Sequence, residues 1–209
     1  MLLAAFAQFC AELNGVFTIL NLSDETFSCH VSIKILTSSA SAKQKTPHKI
    51  KVKTLVRDGL GDGARRDFDT KNIDYFLTEN TDLLQIFETS NDFNSRSFIS
   101  NDLLSVENYI NSAFKLYNTD HSPKFKFSDS SPEVKEAHWP LPYKSCITVP
   151  IRSQASPVKF RGETLLGFLI VDSNKTNAFA DADVDIMIGF ADAFYDILDY
   201  FIKQYLLTN

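Results

Sequence analysis

Basic residues are neither plentiful nor clustered in this chain. Lysine and arginine number 21 against 26 acidic residues, a formal net charge of −5 at pH 7. A nucleic-acid surface needs a concentrated basic stripe to displace counterions from phosphates; none is present, so nucleic acid is not expected as a partner. Cysteine is as scarce. Cys10, Cys29 and Cys146 are odd in number, scattered and without metal-ligand spacing, which argues against a disulfide framework and for free thiols buried in a reducing cytoplasm. The 4 histidines, His30, His48, His121 and His138, pair with no second histidine or cysteine at a ligand spacing, so no metal site is expected. Neither a G-x-S-x-G nor a local Cys-His arrangement marks a nucleophile.

Two further motifs stop short of a function. The glycine-rich loop 58–67 carries adjacent Arg65 and Arg66 but lacks the Gly-Lys-Ser/Thr ending of a phosphate loop and the G-x-G-x-x-G spacing, and reads as a turn bearing solvated charge. The apolar opening stretch 1–11 has no Lys or Arg ahead of it, and Gln8, Glu12 and Asn14 interrupt it short of the ~20 residues of a membrane span. It reads as a core helix, with no membrane span in this chain. An abrupt opening on such a helix also fits the soluble part of a longer protein.

What the chain does have is apolar and aromatic material. Of 209 residues 44% are hydrophobic and 22% charged, as in an ordinary globular protein able to bury one core. Phenylalanine is used 18 times against a single tryptophan, which points first to core packing and then to an aromatic-lined cavity. Segments 143–151 and 165–172 are short, β-branched and apolar, bounded by Pro142, Pro157, Gly162 and Ser173, and are predicted to be central strands. An apolar stripe then runs in steps of three and four from Val184 through Met187, Ala191, Phe194, Leu198 and Phe201 to Tyr205, the signature of a long amphipathic helix. Its six aspartates, Asp181, Asp183, Asp185, Asp192, Asp196 and Asp199, read as a solvated face, with those of the first turn complementing the helix dipole.

Upstream, a first helix over 1–14 ends at Asn14-Gly15, and 16–22 is helix or strand. Segment 27–36 alternates, with Phe27, Cys29, Val31, Ile33 and Ile35 on one face and Ser28, His30, Ser32 and Lys34 on the other: a half-buried strand. Segment 50–57 returns beside it across a long polar tip. Further on, the pattern predicts a helix over 72–88, with Thr81 or Asp82 capping a second turn, a short strand and turn over 97–103, a helix over 106–117 and a polar segment over 118–135.

The C-terminal third resembles the second half of a GAF domain: S-C-I-T-V-P-I, then G-E-x-L-L-G-F-L-I-V-D-S, then F-x-x-x-D and a long amphipathic helix. Asn174, Lys175, Phe179 and Asp183 look like the N-K-x(n)-F-x3-D-E signature of phosphodiesterase GAF domains, with Val184 where the final glutamate is expected. The resemblance implies an α+β fold, sandwich-like, with a central antiparallel sheet of about five or six strands flanked by N- and C-terminal helices. It implies one domain over 1–209: a helical segment 1–22, sheet and pocket loops 23–180, and a C-terminal helix 181–207. It also implies a structural ion pair between Lys175 and Asp183.

As function, the resemblance implies a non-catalytic, cytoplasmic sensory or regulatory domain that encloses a small molecule, its cofactor unidentified, and signals through its terminal helices. GAF topology places Arg65, Arg66, Phe98, Trp139, Tyr143 and Ser145 near the ligand. If the helix runs past the sheet, Phe201, Ile202, Tyr205 and Leu206 would be exposed and would pair in a homodimer; with a degenerate pocket the chain would be a dimerisation or scaffold module. A third reading is an enzyme like the free-methionine sulfoxide reductases, which needs a low-pKa, accessible thiol with a resolving partner. The cysteine spacing of that family is missing.

Overall fold

The computed structural model describes residues 2–21, 24–37, 47–59, 75–89, 97–114, 132–137, 139–153 and 165–206. Among these, β1 (Cys29–Leu36), β2 (Lys51–Arg57), β3 (Tyr75–Phe76), β4 (Phe98–Ser100), β5 (Ser145–Arg152) and β6 (Leu165–Ser173) form one sheet in the order β3-β2-β1-β6-β5-β4, antiparallel throughout. Strands β5 and β6, predicted to be central, are buried along nearly their whole length, which is why their sequences are apolar on both faces. Pro150, which has no N–H to donate, lies beyond the stretch of β5 that β4 pairs, residues 146–148. At Gly167, in register with Ile35, a Cβ would sit 2.0 Å from the carbonyl oxygen of Lys34, so the close approach of β6 to β1 needs glycine there.

Helices α1 (Leu2–Leu20) and α4 (Asp181–Phe201) cover one face of the sheet, α1 over β1 and β2 and α4 over β5 and β6. Their interface accounts for much of the phenylalanine. Phe9 stacks on Phe194 with ring centroids 4.2 Å apart, Phe6 meets Phe194 at 5.2 Å and Phe201 edge-on at 5.4 Å, and Phe17 meets Phe179 at 5.9 Å. Phe201, expected to be exposed, is therefore buried by Phe6 of the same chain, and Ile202 packs against the same core. The side chains of Tyr205 and Leu206 lie outside the described residues.

The first helix does not stop at Asn14-Gly15. Asn14 is buried with both ends of its amide bonded: its Nδ2 donates to the Cys29 carbonyl and to Asp58 Oδ2, each at 2.6 Å, and its Oδ1 accepts from Thr18, one turn on in the same helix, at 3.1 Å. With its Nδ2 satisfied from outside the helix and its Oδ1 by Thr18 within it, the asparagine has no reason to end it. The unbroken helix is long and apolar enough, over Leu3–Leu20, to cross a membrane by length and composition, a test that a core helix also passes. Here its Phe6, Cys10, Leu13 and Phe17 face is packed into the core.

Of the helix expected over 72–88, only α2 (Thr81–Thr89) forms; Tyr75–Phe76 pairs as β3 with β2, and a 3-10 turn over Leu77–Glu79 joins them. Over 106–113 the chain makes turns instead of the expected helix, held by bonds to Asn80 and to α2 described below; 115–117 and most of 118–135 lie outside the described residues, and the polar segment ends in a short helix, α3 (Pro132–Ala137).

The Lys175–Asp183 pair is not formed. Lys175 Nζ instead reaches Asp24 Oδ2 at 3.1 Å and the Thr26 hydroxyl, while Asp183 Oδ2 accepts the Ala180 N–H at 2.7 Å and caps α4. The physical reason lies in Asn174, whose side chain accepts from Ser28 N–H and donates to the Thr26 carbonyl, both at 2.9 Å. The Asn-Lys dipeptide thus stitches the chain entering β1 to the chain leaving β6.

Candidate functional site

The second face of the sheet carries the polar half of the β1 alternation. In register across the strands, Lys34 stands opposite Thr54, Ser32 between Arg57 and Ile170, and Asp172 between His30 and Cys146. These groups do not face open solvent: Ser32 is 1% exposed, Asp172 3% and Thr54 7%. Hydrophilic side chains buried on a sheet face need a roof that leaves them partners or a space.

The roof is α2 with the turns after β4. Asn80, just before α2, accepts from the Ser112 N–H at 3.1 Å and the Ser112 hydroxyl at 3.0 Å; Thr81 N–H donates to the Ile110 carbonyl at 3.0 Å, and Ile110 N–H to the Thr81 hydroxyl at 2.9 Å. Trp139 supports the roof from the side: its ring lies 6.0 Å from Tyr109 and 5.7 Å from Phe114, and its Nε1 donates to the Tyr143 carbonyl at 2.8 Å. Between floor and roof is a cavity of about 40 Å³, several times the roughly 10–15 Å³ that one water needs. Ser32, Lys34, Thr54, Arg57, Ile170, Asp172 and Cys146 line it from the strands, Asn80 from just before α2, Asp82 from its first turn, and Tyr109, Asn111, Ser112, Ala113 and Tyr143 from the loops.

Asp82 dominates the electrostatics. It is 4% exposed; its Oδ2 accepts the Thr148 hydroxyl at 2.8 Å, and its Oδ1 has no hydrogen-bond partner among the described residues. Burial raises its pKa above the carboxylate range, against the opposing pull of the Lys34 charge and the Thr148 bond. The same burial, with the charges of Asp82 and Asp172, pushes the Cys146 thiol well above its ordinary value, and raises Tyr109 likewise. Lys34 Nζ donates to the Tyr75 hydroxyl at the cavity edge. No group of three potential metal ligands occurs among the described residues.

Of the sequence-predicted site residues, Tyr143 lines the cavity. Phe98 is core beneath the roof, Trp139 is a support for Tyr109, and Ser145 donates to the Lys175 carbonyl at 2.7 Å, tying β5 to the loop after β6. Arg65 and Arg66 lie outside the described residues. Sequence reasoning missed Asp82, Lys34, Arg57, Thr54 and Asp172 as lining groups. The alternation of 27–36 had already put Ser32 and Lys34 on the face away from the core, which was the one available signal.

No family model matches the chain, and no curated protein matches it. Among solved structures the chain is similar to a red/green cyanobacteriochrome in its red light-absorbing state, with a TM-score of 0.51 and 14% identity over 97% of this chain and 96% of that one. It is also similar to the GAF domain from an Acinetobacter phosphoenolpyruvate-protein phosphotransferase (TM-score 0.47, 9% identity, 92% and 80% covered) and to a type II free methionine-R-sulfoxide reductase from Thermoplasma acidophilum (TM-score 0.48, 18% identity, 95% and 96% covered). At such identities the likeness speaks for the fold alone. The six-stranded antiparallel sheet with its N- and C-terminal helices is a GAF-like α+β fold, as the C-terminal motifs led one to expect.

Proposed function

We propose that the chain is a non-catalytic, cytoplasmic GAF-like sensory or regulatory domain that encloses a small polar molecule on the second face of its sheet. The observation that carries this reading is the roofed polar floor, where a buried carboxylate with an unmatched oxygen lines a cavity. A scaffold would gain stability by filling that position with apolar residues; a binding site keeps it. Occupancy would stiffen the roof, and β5 and β6, which the cavity shares with α4, would carry the change to the terminal helices. Native mass spectrometry of protein purified from cells, at low and high activation energy, tests this: a retained small molecule is expected, and a bare chain at all energies would overturn it.

A scaffold reading has its own support in apolar residues exposed near the ends of the terminal helices, Ile19 at 65%, Leu20 at 58%, Ile197 at 50% and Tyr200 at 58%. We propose a homodimer through these helices. Sedimentation at micromolar concentration is expected to give a dimer that Ile197→Glu dissociates.

The enzymatic alternative, a cysteine-based reductase, finds little support. All three cysteines are buried; burial pushes Cys10 and Cys29 up to about 12 and Cys146 well above its ordinary value, so each is a thiol at neutral pH. Iodoacetamide is expected to label them only after unfolding, and rapid labelling of native Cys146 would revive the enzyme.

A further inference from the structure

Buried polar groups in folded proteins almost always find hydrogen-bond partners, and each exception calls for a cause. Asp82 is such an exception: one oxygen held by Thr148 at 2.8 Å, the other unmatched among the described residues, on a side chain 4% exposed that lines the cavity. In the ionised carboxylate that oxygen only accepts hydrogen bonds, so a partner that keeps Asp82 ionised is a donor. Among the described lining residues, the acidic groups are Asp82 and Asp172 and the basic groups Lys34 and Arg57. An anion alone would face two carboxylates, and a cation alone two basic groups. The volume of about 40 Å³, far below the roughly 300–1,000 Å³ of sites for drug-sized ligands, limits the occupant to a few non-hydrogen atoms.

We infer that the cavity takes a small zwitterion whose ammonium N–H donates to Asp82 Oδ1 and whose acid group lies toward Lys34 and Arg57. This rests on the sensory reading above and names the ligand class for that same site. N–H donors are essential to it: a quaternary ammonium of the same charge offers none and would leave Oδ1 unmatched. Thr148 holds the second oxygen and so fixes the carboxylate plane, as a positioning residue.

Thermal shift and calorimetric titration of the full chain with glycine, β-alanine, trimethylglycine, acetate and inorganic phosphate test the inference. Glycine or β-alanine is expected to raise Tm in a concentration-dependent way and to bind at least about tenfold more tightly than trimethylglycine, acetate or phosphate. Asp82→Asn is expected to lose at least about 30-fold in affinity for the zwitterion without lowering the ligand-free Tm, from the cost of breaking a buried charged pair. Thr148→Val, which leaves the carboxylate in place but frees its plane, is expected to lose clearly less affinity than Asp82→Asn. Preference for acetate or phosphate, equal binding of trimethylglycine, undiminished binding by Asp82→Asn, or equal loss in both variants would overturn the ligand class while leaving the pocket as a site. Absence of any shift from the zwitterions overturns it too, and the mass spectrometric result above then decides separately whether the sensory reading also fails.

Discussion

Asp58 and Asp82 are both buried, yet their surroundings drive them in opposite directions. Burial alone would raise Asp58, but the His30 ring at 3.4 Å, the Val31 N–H at 2.8 Å and Asn14 at 2.6 Å together hold it below the ordinary carboxylate range. At Asp82 burial outweighs the Lys34 charge, the Thr148 hydroxyl and nearby backbone N–H groups, which pull the same way as the Asp58 donors. The linkage signs follow. The native state holds the Asp58 proton more weakly than the unfolded chain, so its contribution is present above about pH 4 and lost as pH falls through the depressed value. The native state holds the Asp82 proton more tightly, so stability declines as pH rises from about 4 through the raised value. Asp58→Asn is therefore expected to cost on the order of 1–3 kcal/mol near neutrality, with the deficit shrinking below about pH 4. Asp82→Asn is expected to raise Tm by a few degrees near pH 7, a gain that disappears toward about pH 4. Denaturant melts of both variants across pH check this, and parallel curves would contradict it. None of this was legible in the sequence, where Asp82 read as a helix cap, because an orphaned oxygen depends on what α2 is laid against.

The elements were legible where one physical requirement fixed them. Strands β5 and β6 are buried on both faces, so their runs are apolar without interruption, and helix α4 keeps its stripe because sheet and α1 cover one side of it. They were not legible where tertiary bonds replaced local ones. Asn14-Gly15 reads locally as a helix stop, and the turns over 106–113 read as a helix because the sequence does not show Asn80 and Thr81 binding Ser112 and Ile110. The continuous α1 predicts opposite outcomes for neighbouring substitutions. At Gly15 an added Cβ meets nothing within 4 Å, so Gly15→Ala is expected to stabilise by about 0.5–1 kcal/mol. Asn14→Ala strips Asp58 of a donor and is expected to destabilise by about 1–3 kcal/mol. In β6, Gly167→Ala is expected to cost about 1–3 kcal/mol or more as the two strands are forced apart. Thermal melts check all three, and a destabilising Gly15→Ala would mean that the helix breaks there.

At the scale of the whole molecule, the two sheet faces divide the labour. One is dry and aromatic, filled by α1 and α4; the other is apolar at its margins and polar at its centre, with α2 and the loop turns closing over a small cavity. The GAF-like motifs in the sequence announced the fold, but the Asn174, Lys175, Phe179 and Asp183 signature lies on the loop after β6 and at the start of α4 and carries structural bonds, and the strand motifs, which do contribute Cys146, Ile170 and Asp172 to the cavity, read as apolar core. Lys175 and Asn174 illustrate this: their partners Asp24, Thr26 and Ser28 belong to the entry of β1. The Thr26 hydroxyl first, then the Thr26 N–H and Lys175, hold Asp24 at about 2, so Thr26→Ala and Lys175→Ala are each expected to raise that value in a carboxylate titration followed by NMR.

The central claim, that the roofed polar face is a recognition site, is tested most directly by comparing backbone amide spectra of the protein as purified from cells and after denaturing wash and refolding. The account predicts the largest differences at Ser32, Lys34, Thr54, Asn80, Asp82 and Ser112, with smaller ones along α4. Identical spectra, or differences confined to the outer surfaces of α1 and α4 with the floor of the cavity silent, would contradict it.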